Sequence, residues 1–340
     1  MPSTSPRTGT MTPAVPLTAA QERALDLLRA GQRFLLVGHV RPDGDCLGSQ
    51  AALVSVLEAL GKEAVVLNPD VPDARYDYLL ESGPFRTYTG GALPEHDVLV
   101  SLDINELSRC AGLQQPLEAS PAKKMVIDHH PHEGQPWWDE AFVDISASAT
   151  GLLVWRIGKA LGIEPDQRMA RAVFTALVTD TGWFRYSNTD AETMAAASEL
   201  VERGVEPSQM YGFLYQRNRP EQPQAIGALL QRLEYFADGR LAMVDMPLDT
   251  VDRSVDSDPV LDIVRAVDDV EVVLYLRELE ADLWKLSARS KSTYNVNLLA
   301  RRFGGGGHVK ASGATLRGSR EEVRSSLLEA AMEAFAGGPA

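Results

Sequence analysis

The 340-residue sequence contains only two cysteines, Cys46 and Cys110. Two cysteines do not make the disulfide framework of a small secreted protein, so we expect a reducing, cytoplasmic location. No apolar run reaches the ~20 residues that a membrane-spanning helix needs, and we expect no membrane partner. The Ser-, Thr- and Pro-rich start of the chain lacks the apolar core of a secretory signal. We expect residues 1–17 to be a disordered tail.

Basic residues are also scarce. The chain has 33 Lys and Arg against 47 Asp and Glu, a net charge of −14. Such a balance argues against non-specific binding to long nucleic acids, which depends on neutralising phosphates with cations. One stretch differs, because residues 289–320 contain no acidic residue but seven Lys and Arg. This local cationic stretch suits a small anionic ligand.

Histidines are few as well. Three of the six, His39, His129 and His130, come at the ends of predicted strands. Apolar runs lead directly into polar groups at four places: His39, Asp43 and Asp45 after 34–38; Asp103 after 98–102; Asp128, His129 and His130 after 125–127; and Asp180 after the helical run 177–179. Any one group could belong to a plain surface loop. Because open α/β sheets bind ligands at the carboxyl ends of strands, four such runs predict one shared site.

Two imidazoles and four carboxylates form the predicted metal-binding set: His39, Asp43, Asp45, Asp103, His129 and Asp180. One ion rarely uses six such ligands, whereas two divalent cations sharing a bridging carboxylate would use all of them. Mixed His and carboxylate ligation favours Mn²⁺, with Mg²⁺ or Co²⁺ as alternatives. Two ions about 3.5–4 Å apart can clamp a phosphoryl group and lower the pKa of a bound water.

Alternating strand-like and helical segments over 34–204 predict an α/β fold with a mostly parallel, doubly wound sheet. A loop is predicted over Arg41–Asp45, followed by a helix over Leu47–Leu60. We expect a catalytic domain at 18–205, a helical linker at 206–232, and a smaller α/β domain with a mixed sheet at 233–337, across a cleft. The run Gly304–Gly307 is either a flexible linker or a close approach of backbone to a ligand; its flanking residues favour the second.

Together these motifs resemble a known superfamily. The segments His39-x-x-Pro42-Asp43-Gly44-Asp45-x-x-Gly48-Ser49, Asp103, Asp128-His129-His130 and Thr179-Asp180-Thr181-Gly182 are similar to the four motifs of the DHH phosphoesterases. The stretch 303–313 resembles the signature of the DHH-associated C-terminal domain. Length and domain order resemble the NrnA-like branch of oligoribonucleases and pAp phosphatases. The resemblance spans residues 21–335, and it departs at Cys46, where alanine is expected.

The resemblance implies roles for the site residues. One metal would be held by His39, Asp43 and Asp103, and the other by Asp45, Asp103, His129 and Asp180, with Asp103 as the bridge. His130 would bind or protonate the phosphoryl group, and Asp128 would orient a histidine. Arg109 is either a solvated loop arginine or a contact to the substrate phosphate. The far end of the substrate would be bound by Arg289, Ser290, Gly306, Gly307 and His308.

The implied activity is hydrolysis of short oligoribonucleotides to mononucleotides and of 3′-phosphoadenosine 5′-phosphate (pAp) to AMP. The expected partners are short RNA or DNA oligonucleotides, pAp and dinucleotides, and the chain could pair as a homodimer. Alternatives are a pyrophosphatase or polyphosphatase, a RecJ-like exonuclease on single-stranded DNA, a phosphodiesterase for cyclic dinucleotides, and a non-catalytic nucleotide sensor. The stretch 304–313 argues against the first, and the net charge of −14 disfavours the second. The complete ligand set argues against the sensor.

Overall fold

The computed structural model describes residues 16–80, 83–250, 257–291 and 293–336, and it separates into two compact units between Arg217 and Asn218. The strands of the first unit are β1 (Arg33–Val37), β2 (Glu63–Asn68), β3 (Phe85–Thr87), β4 (Val98–Leu102), β5 (Lys123–Asp128) and β6 (Glu140–Val143). Its helices are α1 (Ala19–Ala30), α2 (Gly44–Ala59), α3 (Asp77–Leu80), α4 (Gln114–Ala119), α5 (Thr150–Ala160), α6 (Gln167–Asp180), α7 (Ala191–Glu202) and α8 (Pro207–Tyr215). Short 3₁₀ turns form at Ala74–Tyr76 and Leu107–Leu113.

The first sheet is parallel throughout, with strand order β3-β2-β1-β4-β5-β6. Phe34 and Leu36 of β1 face one hydrophobic core, whereas Leu35 and Val37 face another. The first core is covered mainly by α1, α2, α5 and α6, and the second by the 107–113 turn and α4. Burial on both faces explains why β1 is apolar without alternation. The strand order reverses between β1 and β4, which opens a crevice at their carboxyl ends.

The second unit has its own mixed sheet. Its elements are α9 (Gln222–Leu230), β7 (Glu234–Phe236), β8 (Leu241–Met246), α10 (Ser257–Arg265), β9 (Val272–Glu280), β10 (Leu283–Ser290), α11 (Val296–Arg302), β11 (Gly306–His308), β12 (Ala311–Arg317) and α12 (Arg320–Ala336). The strand order is β11-β12-β10-β9-β8-β7, and only β8 and β9 run parallel. Strand β8 turns Leu241 and Met243 towards α11 and α12, and Ala242 and Val244 towards α9 and α10. The predicted α/β fold class, with a mostly parallel first sheet and a mixed second one, is confirmed.

One local prediction is wrong. The loop predicted over Arg41–Asp45 ends early, because α2 begins at Gly44. Asp43 is the N-cap, and its Oδ1 accepts hydrogen bonds from the backbone N–H groups of Asp45 and Cys46, both at 3.1 Å. Of the two alternatives for the glycine run, the flexible linker does not fit, since Gly306–His308 pairs with β12 as a strand. None of the helices in the described ranges is long and apolar enough to span a bilayer.

The segment predicted as a linker forms two helices, α8 in the first unit and α9 in the second. The predicted tail at 1–17 falls almost wholly outside the described residues. The domain bounds therefore stay a prediction.

Helices α2 and α6 approach closely through Gly48. A Cβ at Gly48 would lie 2.5 Å from the carbonyl oxygen of Ala172 and 3.0 Å from the backbone nitrogen of Ala176. Backbone atoms cannot move aside as a flexible side chain could. This contact fixes the distance between the helices that carry Asp45 and Asp180.

We expect Gly48→Ala to lower the free energy of unfolding by about 1–3 kcal/mol, because the added methyl group overpacks this contact. Thermal unfolding followed by circular dichroism measures the effect. Gly212→Ala is the matched control, since Gly212 lies inside α8 and its Cβ would meet only the Gln216 side chain at 3.6 Å. Equal melting temperatures for Gly48→Ala and the wild type would contradict the packing argument.

Candidate active site

The polar groups predicted to form one site lie together at the carboxyl edge of the first sheet. His39 follows β1, Asp103 follows β4, and His129 follows β5. Asp45 lies in the first turn of α2, and Asp180 is the last residue of α6. All five belong to the first unit and lie around the point where the strand order reverses.

Asp103 lies between two histidines. Its Oδ2 is 3.4 Å from Nε2 of His39, and its Oδ1 is 3.7 Å from Nε2 of His129. The same nitrogen of His129 is 3.7 Å from Oδ2 of Asp45 and 3.7 Å from Oδ2 of Asp180. These distances exceed ordinary hydrogen bonds. Ligand atoms held at about 2.1 Å from a common ion lie about 3–4 Å apart, so the spacing fits bound cations.

Both histidines are held by their other ring nitrogen. Nδ1 of His39 is 2.9 Å from the carbonyl oxygen of Val40, and Nδ1 of His129 is 3.0 Å from that of Ala147. A carbonyl oxygen only accepts, so each Nδ1 donates. In the neutral ring Nε2 then turns its lone pair towards the carboxylates, the arrangement of a metal-bound histidine.

The carboxylates repel one another. Burial raises the pKa of Asp45 well above its usual range, and the charges of Asp103, Asp180 and Asp43 raise it further. Burial raises the pKa of Asp180 to about 7; His129 opposes this shift, and Asp103 reinforces it. Divalent cations at this position would neutralise the repulsion. The His and carboxylate donors therefore fit a divalent metal site.

Asp103 differs from its neighbours. Burial alone would raise the pKa of this carboxyl, but the adjacent His39 ring and the charge of His130 lower it below its usual range. Its backbone has φ 61°, a conformation that residues with side chains rarely adopt. Such strain is held in place where the surroundings over-determine it, often at functional sites.

Sequence reasoning missed the residues that hold the acids. The backbone N–H groups of Thr150 and Gly151, at the start of α5, donate to Asp45 at 2.7 and 2.9 Å. The Ser49 hydroxyl donates to Asp45 at 3.1 Å, and the Thr150 hydroxyl donates to Asp103 at 3.2 Å. The helix N-terminus favours negative charge here. Of these residues, only Ser49 could have been found from the sequence, because a residue four positions after Asp45 lies on the same face of one helix.

His130 is bound to Asp128. Its Nδ1 lies 2.8 Å from Oδ1 of Asp128, and its backbone N–H donates to the same oxygen at 3.2 Å. Burial alone would lower the pKa of His130, but Asp128 and Asp103 raise it to about 9. The Asn105 side chain, which sequence reasoning also missed, donates to the carbonyl oxygen of His130 at 3.1 Å.

Arg109 lies in the 107–113 turn, and its carbonyl oxygen accepts a hydrogen bond from Val40 at 2.8 Å. Its side chain is exposed. The guanidinium is close enough that its charge lowers the pKa values of His39 and His130, opposing the carboxylates that raise them. This position is compatible with a phosphate contact, and that role stays a prediction.

The remaining predicted residues lie in the second unit. Arg289 pairs with Ala311 on β12, which pairs with His308 on β11, so Arg289 and His308 share one row of the sheet. Arg289 forms an ion pair with Asp258 at 3.1 Å, and the Ser290 hydroxyl donates to the carbonyl oxygen of Tyr294 at 2.7 Å. All three residues of β11 are exposed: Gly306, Gly307 and His308. Their predicted contacts with substrate stay predictions.

Comparison with known proteins identifies both halves of the chain. Residues 33–179 match the model of the DHH family, N-terminal domain, and residues 252–337 match that of the DHHA1 domain. A protein of Thermus thermophilus named bifunctional oligoribonuclease and PAP phosphatase NrnA is 34% identical over 87% of this chain and 88% of its own length.

Solved structures show the same fold. An exopolyphosphatase-related protein from Bacteroides fragilis superimposes with a TM-score of 0.84 at 25% identity, covering 93% of this chain and 96% of that one. RecJ of Thermus thermophilus in complex with Mn²⁺ has a TM-score of 0.56 at 17% identity, covering 95% of this chain and 55% of RecJ. With the two domain matches and the Thermus relative, these findings confirm the resemblance seen in the motifs: the chain belongs to the DHH family of phosphoesterases.

Proposed function

We propose that this chain hydrolyses short oligoribonucleotides to mononucleotides and pAp to AMP, with two divalent cations. The observation that carries the proposal is the position of Asp103, whose two oxygens face His39 on one side and His129 on the other. The name of the 34% identical Thermus relative supports both activities.

His39, Asp43 and Asp103 would hold one cation, and Asp45, Asp103, His129 and Asp180 would hold the other. When bound, the cations polarise the phosphoryl group and lower the pKa of a water molecule. The mixed imidazole and carboxylate donors support Mn²⁺ over Mg²⁺. Cys46 and Cys110, both buried and not disulfide-bonded, support a reducing, cytoplasmic environment.

His130 would bind or protonate the phosphoryl group. The hydrogen bond to Asp128 favours the protonated ring. Because Nδ1 is held by Asp128, Nε2 is the atom that can donate to a phosphoryl oxygen or a leaving oxygen. Asp128 is fully buried, so it fixes the direction of the ring.

Four substrates supplied in parallel with Mn²⁺ test the proposal: a 5′-labelled RNA trimer, pAp, a long single-stranded DNA and a cyclic dinucleotide. We expect rapid loss of the trimer and of pAp while the long strand survives. Degradation of the long strand instead would favour a RecJ-like exonuclease. Hydrolysis of the cyclic dinucleotide alone would favour a phosphodiesterase that acts on cyclic dinucleotides. Inertness towards all four, with Mn²⁺ bound, would favour a sensor.

We expect His129→Ala to reduce turnover of the RNA trimer by more than about 100-fold. Loss of a group that merely orients a metal ligand already costs up to about 100-fold, and the loss of the ligand itself should cost more. The fold should persist, since the side chain lies at the edge of the core. Steady-state rates and circular dichroism check both points. His96→Ala is the control, because His96 binds Pro94 and Ser120 outside the site. Unchanged turnover in a folded His129→Ala protein would refute the ligand assignment.

We expect Mn²⁺ to raise the melting temperature more at about pH 8 than at about pH 5.5, because protons compete for the ligands. Raised carboxyl pKa values mean that the metal-free folded state binds more protons than the unfolded chain. Its stability therefore falls as pH rises from about 4 towards the pKa of Asp180, about 7. Thermal unfolding with and without Mn²⁺ at both pH values measures the difference, and an equal or larger shift at the lower pH would contradict it.

We expect Thr150→Val to weaken Mn²⁺ binding by about 10–100-fold, because valine keeps the shape but loses the hydroxyl that donates to Asp103. Isothermal titration calorimetry measures the dissociation constant. Thr150→Ser keeps the hydroxyl and should bind Mn²⁺ nearly as the wild type does. If valine and serine behaved alike, the hydroxyl would have no positioning role.

A further inference from the structure

Three aromatic side chains cluster at the surface of the first unit. The Trp183 ring lies 5.0 Å from that of Tyr211 and 5.8 Å from that of Tyr215, nearly perpendicular to both. The two tyrosine rings are 5.1 Å apart. Tyr211 is 41% exposed and Tyr215 is 39% exposed. Large aromatic groups exposed together, rather than singly, mark surfaces that bind something.

The exposed tyrosines are not what anchors helix α8. Met210 and Leu214 are buried on its inner face, and Phe213 stacks on Tyr78 with ring centroids 4.5 Å apart. Tyr211 lies on the outer side of the same helix. The core contacts of α8 are therefore made by Met210, Phe213 and Leu214 and not by Tyr211.

The backbone that carries Trp183 is strained. Gly182, Trp183 and Phe184 have φ of 55°, 61° and 63°, three consecutive left-handed residues of which two carry aromatic side chains. The turn starts two residues after Asp180 and is closed by a hydrogen bond from the Trp183 N–H to the carbonyl oxygen of Val178 at 2.7 Å. Strain of this kind is retained where a side chain must be held in a set position. Here it holds Trp183 only three residues after Asp180 in the chain.

Two arginines lie close to the cluster in the chain. Arg185, two residues after Trp183, is exposed, and its Nε donates to the carbonyl oxygen of Gly182 at 2.7 Å. The 74–76 turn packs against α8, and Arg217, two residues after Tyr215, donates to the carbonyl oxygen of Ala74 at 2.9 Å.

We propose that Trp183, Tyr211 and Tyr215 form a stacking site for a nucleobase of the substrate, with Arg185 beside it for a phosphate. The proposal rests on the proposed function. Exposed aromatic rings beside arginine are the means by which proteins bind unpaired bases, whereas paired bases offer no free face. The site would therefore select single-stranded nucleotides.

The test compares Tyr211→Ala, Tyr211→Phe and Tyr235→Ala on two substrates, an RNA dinucleotide and the same dinucleotide with both bases replaced by hydrogen. We expect Tyr211→Ala to raise KM for the dinucleotide about tenfold, with kcat unchanged and no effect on the abasic compound. Tyr211→Phe keeps the ring and should match the wild type. Tyr235, which is 48% exposed on β7 in the other unit, is the matched control.

An unchanged KM in Tyr211→Ala, or an equal loss on both compounds, would overturn the stacking site. A change in sedimentation in place of KM would also overturn it, by showing that the cluster joins two copies of the chain. If the wild type hydrolyses neither compound, the proposed function fails, and calorimetry with Ca²⁺ still decides the stacking. Tighter binding of the dinucleotide than of the abasic compound, lost in Tyr211→Ala, supports the site; equal binding overturns it.

Discussion

Repulsion among buried carboxylates is the constraint on which the first unit depends. Asp45 and Asp103 are 1% and 4% exposed, and both face the same histidine. Buried carboxylates that share one histidine cannot all ionise unless nearby positive groups or hydrogen-bond donors offset their repulsion. Part of the compensation comes from the N-terminus of α5, which must lie against Asp45. The close approach of α2, α5 and α6 provides that position: a Cβ at Gly151 would lie only 2.2 Å from the Cβ of Ala176. Packing and chemistry are therefore one requirement here, since the helices that bury the acids also supply the groups that stabilise them.

The site could be predicted from the sequence because its residues follow apolar strands. In a parallel sheet the carboxyl ends of β1, β4 and β5 meet at one edge, so His39, Asp103 and His129 converge whatever the loops do. The supporting contacts could not be predicted in this way. Thr150 reaches Asp103 from 47 residues away in the chain. Such a contact depends on how α5 packs, and no local pattern encodes it.

Two local features could not be predicted, for different physical reasons. Pro42-Asp43-Gly44-Asp45 has the composition of a turn, but Asp43 caps a helix, and Asp favours both turns and N-caps because both use its side-chain oxygen. The glycines of β11 have no side-chain alternation by which a strand could be detected. Their strand depends on the pairing with β12, whereas the cap is a local choice between two structures of similar energy.

The stretch 289–320 has no acidic residue, but its composition does not give the charge of the surface on which it lies. Three of its cations are paired with acids from elsewhere in the second unit: Arg289 with Asp258, Arg302 with Glu333, and Arg320 with Asp245. Asp245 is fully buried, so the charge of Arg320 neutralises it rather than adding to a free cationic surface. A run without acids along the chain is thus not a surface without acids.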